Sequence, residues 1–206
     1  MYLFSRQVTL QGPFREIGAW AAEITGVINA HSEVPVTLWS SSMGNPVGSM
    51  AWSARVDSHA QLDAVTQSLQ TNDAYMDLAD QGQQYISEPG EDFLRQFVTE
   101  PGAEPPQVAM ITTAVAANGK MAEAIEFGVG MAEHVTKATG HPLALLTDAY
   151  GTFGSLTWIN GFPDMAAVDS AQDALMADEE YLNRIVKAGD LFVEGSGQRS
   201  LAQRIV

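Results

Sequence analysis

The stretch Gly154-Ser155-Leu156-Thr157-Trp158 decides the fold of this chain, because a counterpart stands earlier as Gly48-Ser49-Met50-Ala51-Trp52. In both stretches a turn glycine is followed, four residues later, by a tryptophan in an expected strand. Further matches keep the same order with a one-residue slip in the turn, and such self-similarity is typical of a duplicated unit. These matches are Pro35 with Pro142, Gly44 with Gly151, Leu69 with Leu175, and Tyr75 with Tyr181.

Each copy shows the same succession of patterns. In the first copy, residues 2–10 alternate like a strand, and residues 14–31 carry apolar side chains at helical spacing. Two strands then flank a glycine-rich turn, a second helix follows Ser58 with a break near Asn72, and a fourth strand ends the copy. We therefore predict an α+β protein with two tandem ferredoxin-like units of order β-α-β-β-α-β.

The proline- and glycine-bearing segment between the copies reads as a linker. It sets the expected boundaries: residues 1–98 for the first ferredoxin-like repeat, 99–107 for the linker and 108–206 for the second repeat.

A ferredoxin-like unit packs its helices on one face of its sheet and leaves the other face bare. Here the strands carry apolar or aromatic residues on both sides: Val36 and Leu38 point one way, and Trp39 points the other. A sheet that is apolar on both faces must be covered on both. The second copy is the simplest cover, so we predict an intramolecular dimeric α/β barrel.

Composition narrows the classes of partner. The chain has 206 residues, 46% of them hydrophobic, and a formal charge of −15 from 25 acidic and 10 basic residues. Such a charge disfavours nucleic acid and anionic lipid surfaces. No apolar run is long enough to suggest a membrane span, and the first residues lack the layout of a signal peptide. The absence of cysteine excludes disulfides and is compatible with the cytoplasmic location that we expect.

A helix motif carries a family resemblance. The stretch Leu69-Gln70-Thr71-Asn72-Asp73-Ala74-Tyr75 and its counterpart Leu175-Met176-Ala177-Asp178-Glu179-Glu180-Tyr181 both place an aromatic residue shortly after a polar or acidic pair. In this the chain resembles the dimeric α/β-barrel superfamily, and within it the NIPSNAP-like and antibiotic-biosynthesis-monooxygenase-like proteins. The resemblance implies a barrel of two four-stranded sheets with helices outside and a pocket between helices and sheet in each half.

The same resemblance indicates which activities to expect. Members of the superfamily include cofactor-independent monooxygenases, cyclases, isomerases, haem degraders and proteins without known activity. The histidine of the haem-degrading branch is missing, because the matching helix positions fall near Ala79 and Ile185. No histidine, aspartate or glutamate cluster has metal-ligand spacing either. We therefore predict neither a metal nor another cofactor.

Differences between the copies single out candidate site residues. His134 replaces Val27, and histidine is the usual general base near neutral pH. Polar groups on an otherwise apolar strand need partners or a ligand. The predicted catalytic residues are His134, Tyr150 and Asn160. The predicted substrate-binding residues are Trp158 and Asp148 in the second copy, and Arg6, Trp39 and Trp52 in the first, with Arg6 pairing an anionic group.

Two functions compete at this stage. The first is a small-molecule enzyme, a cofactor-independent monooxygenase or a cyclase or isomerase, acting on an apolar or aromatic substrate. The second is a non-catalytic ligand-binding or assembly protein of the same fold, in which Trp20 and Phe127 make contacts in a homo-oligomer. An enclosed cavity holding His134, Tyr150 and Asn160 together favours the enzyme, and collapsed side chains favour the second function.

Overall fold

The protein is described by a computed structural model that covers all 206 residues. The order strand, helix, strand, strand, helix, helix, strand occurs twice. The first series is β1 (Tyr2–Thr9), α1 (Phe14–His31), β2 (Val36–Met43), β3 (Ser49–Val56), α2 (His59–Gln70), α3 (Asp73–Gly82) and β4 (Glu91–Phe97). The second is β5 (Val108–Val115), α4 (Met121–Thr139), β6 (Leu143–Tyr150), β7 (Ser155–Phe162), α5 (Met165–Met176), α6 (Glu179–Lys187), a 3-10 turn (Gly189–Leu191) and β8 (Gln198–Arg204).

The eight strands form one closed barrel in the order β1-β3-β2-β8-β5-β7-β6-β4. Within each series the first strand pairs antiparallel with the third, and the second also pairs antiparallel with the third. Along these strands, alternate residues face the helices, as the strand pleat requires. This is the α+β barrel that the sequence predicts. No helix has the length and apolar character needed to cross a membrane.

The chain forms two compact units whose limits differ from those of the expected repeats. Unit 1 holds residues 1–41, 45–94 and 204–206, and unit 2 holds residues 42–44 and 95–203. In unit 1 the last residues of the chain bond to β2, with Leu38 N donating to Val206 O at 3.0 Å. In unit 2 the residue after β4 bonds to β6, with Val98 N donating to Leu145 O at 2.8 Å. The repeat boundaries inferred from the sequence stay a prediction about the duplication.

The core of unit 1 lies between α1 and its sheet. The buried face of α1 presents Ile17, Ala21 and Ile24, which pack with Leu38 of β2 and Trp52 of β3. This spacing is the apolar stripe of an amphipathic helix. The core of unit 2 repeats the arrangement, with Ala124 of α4 against Leu145, Leu156 and Trp158.

The motif behind the family resemblance is a helix start. Asn72 caps α3 by accepting a hydrogen bond from Tyr75 N at 2.9 Å, and Asp178 caps α6 by accepting one from Tyr181 N at 3.0 Å. An Asn or Asp side chain in this position satisfies a backbone donor that the helix leaves free. The break predicted near Asn72 is therefore the boundary between two helices.

Candidate functional site

Trp52 occupies the space between helix and sheet in unit 1. Its indole is buried, and Nε1 donates to Thr25 Oγ1 at 2.7 Å. The Thr25 hydroxyl in turn donates to the backbone oxygen of Ala21 at 2.6 Å. The Thr25 hydroxyl thus links the indole N–H to a helix carbonyl, and every polar atom in this buried series of hydrogen bonds has a partner.

Trp158 occupies the equivalent space in unit 2 without such a link. Its Nε1 donates directly to the backbone oxygen of Gly128 at 3.2 Å. Gly128 aligns with Ala21, and a Cβ added there would lie 2.9 Å from Leu145 and 3.2 Å from the Trp158 ring. In both units the buried indole N–H thus reaches a helix carbonyl. The Thr25 hydroxyl makes the link in unit 1, and the small Gly128 allows a direct bond in unit 2. In both units the predicted substrate-binding tryptophan fills the helix–sheet space and bonds to the helix.

We expect Thr25→Val to destabilise the fold by about 1–3 kcal/mol, because the buried Trp52 N–H then lacks an acceptor. Thr25→Ser keeps the hydroxyl and should cost less. Chemical denaturation followed by tryptophan fluorescence measures both variants. Equal stability of wild type and Thr25→Val would show that the hydroxyl link contributes nothing.

Trp20, expected at an oligomer contact, lies instead in the core of unit 1. It is 6% exposed, its Nε1 donates to the backbone oxygen of Leu78 at 2.8 Å, and its ring packs edge-on against Trp52. The sequence placed it on the flank of α1, but α3 covers that flank. Its counterpart Phe127 packs against Phe192 in unit 2.

His134 bridges two helices of unit 2. Its Nε2 lies 2.8 Å from Asp178 Oδ2, and its Nδ1 lies 3.8 Å from Glu180 Oε1. Hydrogen bonds from the Tyr181 amide, and secondarily from His134, hold the pKa of Asp178 below its usual range. The side chain of Asp178 therefore caps α6 with one oxygen and contacts α4 through the other.

Asn160 is fully buried and anchors the loop before β6. Its Nδ2 donates to the backbone oxygens of Pro142 at 2.9 Å and His141 at 3.2 Å, while its Oδ1 has no hydrogen-bond partner. Tyr150, at the end of β6, is 63% exposed. The structure thus directs His134 to Asp178 and Asn160 to the loop backbone, rather than to each other. Their predicted catalytic roles stay predictions.

The first-copy candidates also have partners. Arg6 forms a bidentate ion pair with Asp92: Nε donates to Oδ1 at 2.8 Å, and Nη2 donates to Oδ2 at 2.7 Å. Both side chains are about half exposed. The hydrogen bond to Asp92 raises the pKa of Arg6. Trp39 lies on the face of β2 opposite Leu38, and its Nε1 donates to Ser53 Oγ at 2.8 Å.

Asp148 belongs to a buried ion pair that the sequence prediction missed. Arg95 Nε lies 2.9 Å from Asp148 Oδ1, with side-chain exposures of 10% and 2%. Asp148 Oδ2 also accepts a hydrogen bond from Thr152 N at 3.2 Å. Burial raises the pKa of Asp148 and lowers the pKa of Arg95, with the attraction between the two groups opposing both changes. Arg95 stands among both charged and apolar residues of β4, so the sequence carried no signal for this pair.

Asp148 lies on the face of the unit 2 sheet that its helices do not cover, which we call the helix-free face. Alternation places it opposite the helix-facing Leu145, together with Leu146 and, on β7, with Ser155 and Thr157. Thr157 pairs with both Leu146 and Thr113, is fully buried, and leaves its Oγ1 without a hydrogen-bond partner. One end of this face is therefore polar and buried.

The other end of the helix-free face is apolar. Ile111 of β5 pairs with Ile159 of β7, and Ala144 of β6 pairs with Ile159 from the other side. The face therefore combines an ion pair and a hydroxyl with an aliphatic surface. No group of three or more histidine, aspartate or glutamate side chains is placed to hold a metal ion.

Comparison with known proteins defines the class of fold. No family model and no curated protein matches the chain. Among solved structures, a candidate monooxygenase from Fusobacterium nucleatum subsp. nucleatum has a TM-score of 0.73 and 11% identity, over 100% of this chain and 92% of that one. An anthrone oxidase-like protein has a TM-score of 0.70 and 11% identity, over 100% and 91%. A major regulator of staphylococcal pathogenesis has a TM-score of 0.57 and 12% identity, over the whole of both chains.

These similarities establish the fold. The chain has the dimeric α/β-barrel fold, as its sequence predicts, with both ferredoxin-like units in one polypeptide. At such identities the activities of the similar proteins do not transfer with the fold.

Proposed function

We propose that the protein is a small-molecule enzyme of the dimeric α/β-barrel type, a cofactor-independent monooxygenase acting on an aromatic substrate at the helix-free face of unit 2. One observation carries the proposal: a buried ion pair, Arg95–Asp148, shares this face with the unpartnered hydroxyl of Thr157. Charged and polar groups are costly to bury, and a bound ligand would supply the hydrogen-bond partner that the Thr157 hydroxyl lacks. The names of two proteins with similar folds, one monooxygenase-like and one anthrone oxidase-like, support the class of reaction.

Asp148, Arg95 and Thr157 would each have a different role in the reaction. Asp148 has a raised pKa, which makes its carboxylate a stronger base than an exposed one. It would remove a proton from a C–H bond activated by a neighbouring carbonyl. Arg95 would stabilise the resulting enolate, and Thr157 would bind an oxygen of the substrate.

Molecular oxygen would then complete the reaction. With anthrone as the model substrate, the enolate transfers electrons to O₂, oxygen adds to the ring carbon, and loss of water leaves anthraquinone. One anthrone and one O₂ give one anthraquinone and one water, so the substrate supplies all the electrons. A cyclase or isomerase would use the same base without consuming O₂.

Thr157→Val provides a sharp test, because it removes the hydroxyl and keeps the shape. The variant should be as stable as the wild type or more stable, since an unsatisfied buried group is lost. It should nevertheless bind and oxidise anthrone more weakly, by roughly tenfold for one lost hydrogen bond. The assays are thermal unfolding, and O₂ uptake with anthrone corrected for spontaneous oxidation.

Thr66→Val, on the exposed surface of α2, is the matched control and should change neither quantity. Wild-type protein that does not accelerate O₂ uptake would contradict a monooxygenase. Unchanged turnover in Thr157→Val would remove this face from the site.

The second candidate function, a non-catalytic binding or assembly protein, is favoured by Trp52 and Trp158. Each fills the helix–sheet space where the family resemblance placed a pocket. Binding of anthraquinone at the helix-free face without O₂ uptake or proton exchange would support this candidate.

A further inference from the structure

Helix α6 of unit 2 carries an exposed apolar stripe. Leu182, Ile185 and Val186 are 37%, 45% and 80% exposed, and Met176 just before the helix is 67% exposed. Residues spaced three and four apart lie on one side of a helix. We call Leu182, Ile185 and Val186 the α6 stripe.

The stripe does not belong to the core of unit 2. The other side of α6 makes the internal contacts: Tyr181 is buried, and Ala188 just after the helix is also buried. Contiguous exposed apolar residues with a polar rim are typical of an interaction surface.

The charged residues at the two ends of the stripe are complementary to those of a second copy of the same chain. Glu179 stands at the first residue of α6 and Lys187 at the last, and both are exposed. At about 100° per residue, both fall on the same flank of the stripe. A two-fold axis through the middle of the helix would run two α6 helices antiparallel and place each Glu179 beside the other copy's Lys187.

Local neutrality favours the same pairing. The chain as a whole carries −15, so most of its surface repels a second copy. On α6 the acidic residues Glu179 and Glu180 are balanced by Arg184 and Lys187. Two copies meeting at α6 would therefore avoid that repulsion.

The equivalent helix of unit 1 lacks these properties. In α3 the positions that match Ile185, Val186 and Lys187 hold Ala79, Asp80 and Gln81. This helix contains three aspartates and no basic residue. Two α3 helices would repel each other, so the contrast assigns the surface to unit 2.

We propose that two copies of the chain associate through their α6 stripes as an antiparallel, two-fold symmetric pair. A contact centred on one helix of nine residues buries less than the roughly 1,200–2,000 Å² of a stable interface. The dimer is accordingly weak, and its population rises with protein concentration.

Sedimentation velocity over a range of concentrations tests the proposal with the full chain. Val186→Glu should abolish the dimer, whereas Met76→Glu, at the exposed position of α3 that matches Leu182, should leave it intact. Lys187→Glu should weaken association by at least about tenfold, and the exchange Glu179→Lys with Lys187→Glu should restore it. Circular dichroism confirms that each variant is folded.

A chain that stays monomeric at all concentrations would overturn the proposal. So would a dimer that Val186→Glu leaves intact, a dimer that Met76→Glu weakens equally, or failure of the charge exchange to restore association. None of these results depends on the proposed enzyme activity.

Discussion

Arg95→Met is expected to destabilise the protein by about 3–5 kcal/mol, because it leaves the Asp148 carboxylate buried without its partner. The carboxylate is 2% exposed, so water cannot replace the guanidinium. Chemical denaturation at pH 7 measures the loss. The double variant Arg95→Met with Asp148→Leu should recover most of it, since no charge is then buried.

The pH dependence of Arg95→Met gives an independent check. Burial already raises the pKa of Asp148, and without Arg95 that rise is larger. A carboxyl whose folded pKa is raised destabilises the fold little below its unfolded pKa, near 4, and progressively more as pH rises through the folded pKa. The deficit relative to wild type should therefore be smaller at pH 4 than at pH 7. A deficit that is independent of pH would indicate lost packing rather than an unpaired charge.

Gly82→Ala is expected to cost about 3 kcal/mol, because a Cβ at this position falls on the indole ring of Trp20. The ring cannot move freely: its Nε1 is bonded to Leu78 O, and its faces pack near Trp52 and Tyr85. The gain in helix propensity from alanine, up to about 1 kcal/mol, offsets only part of the cost.

The second copy offers a matched control for this substitution. The counterpart of Gly82 is Ala188, and the adjacent Gly189 has open space where a Cβ would lie, so Gly189→Ala should be nearly neutral. In a Trp20→Phe background, Gly82→Ala should cost less than in the wild type, because the smaller ring leaves room. Thermal unfolding measures the stability of four variants: Gly82→Ala, Gly189→Ala, Trp20→Phe, and Trp20→Phe with Gly82→Ala. Equal losses of stability for Gly82→Ala and Gly189→Ala would contradict the packing argument.

The fold could be predicted because its determinants are local and occur twice. Turn glycines before Trp52 and Trp158, helical stripes, the cap at Ser58 and the break near Asn72 each set one element. Apolar residues on both strand faces then required a closed arrangement. Packing of this kind requires apolar residues at regular intervals, and these intervals can be read from the sequence.

The candidate site could be predicted only in part, because its residues depend on contacts between distant elements. Asp148 was identified by its difference from Ser41, but its partner Arg95 lies on another strand and leaves no pattern. Trp52 and Trp158 read equally as pocket walls or as core. Only the bonds to Thr25 and Gly128 show that they fill the space.

The central claim is that a ligand binds the helix-free face of unit 2 rather than the spaces beneath the helices. Nuclear magnetic resonance of protein titrated with anthraquinone tests it most directly, by following the Arg95 Nε–H, the Thr157 amide and the tryptophan indole N–H signals. We predict that the Arg95 and Thr157 signals shift while those of Trp52 and Trp158 stay in place. Shifts at the two indoles with Arg95 and Thr157 unchanged would contradict the account.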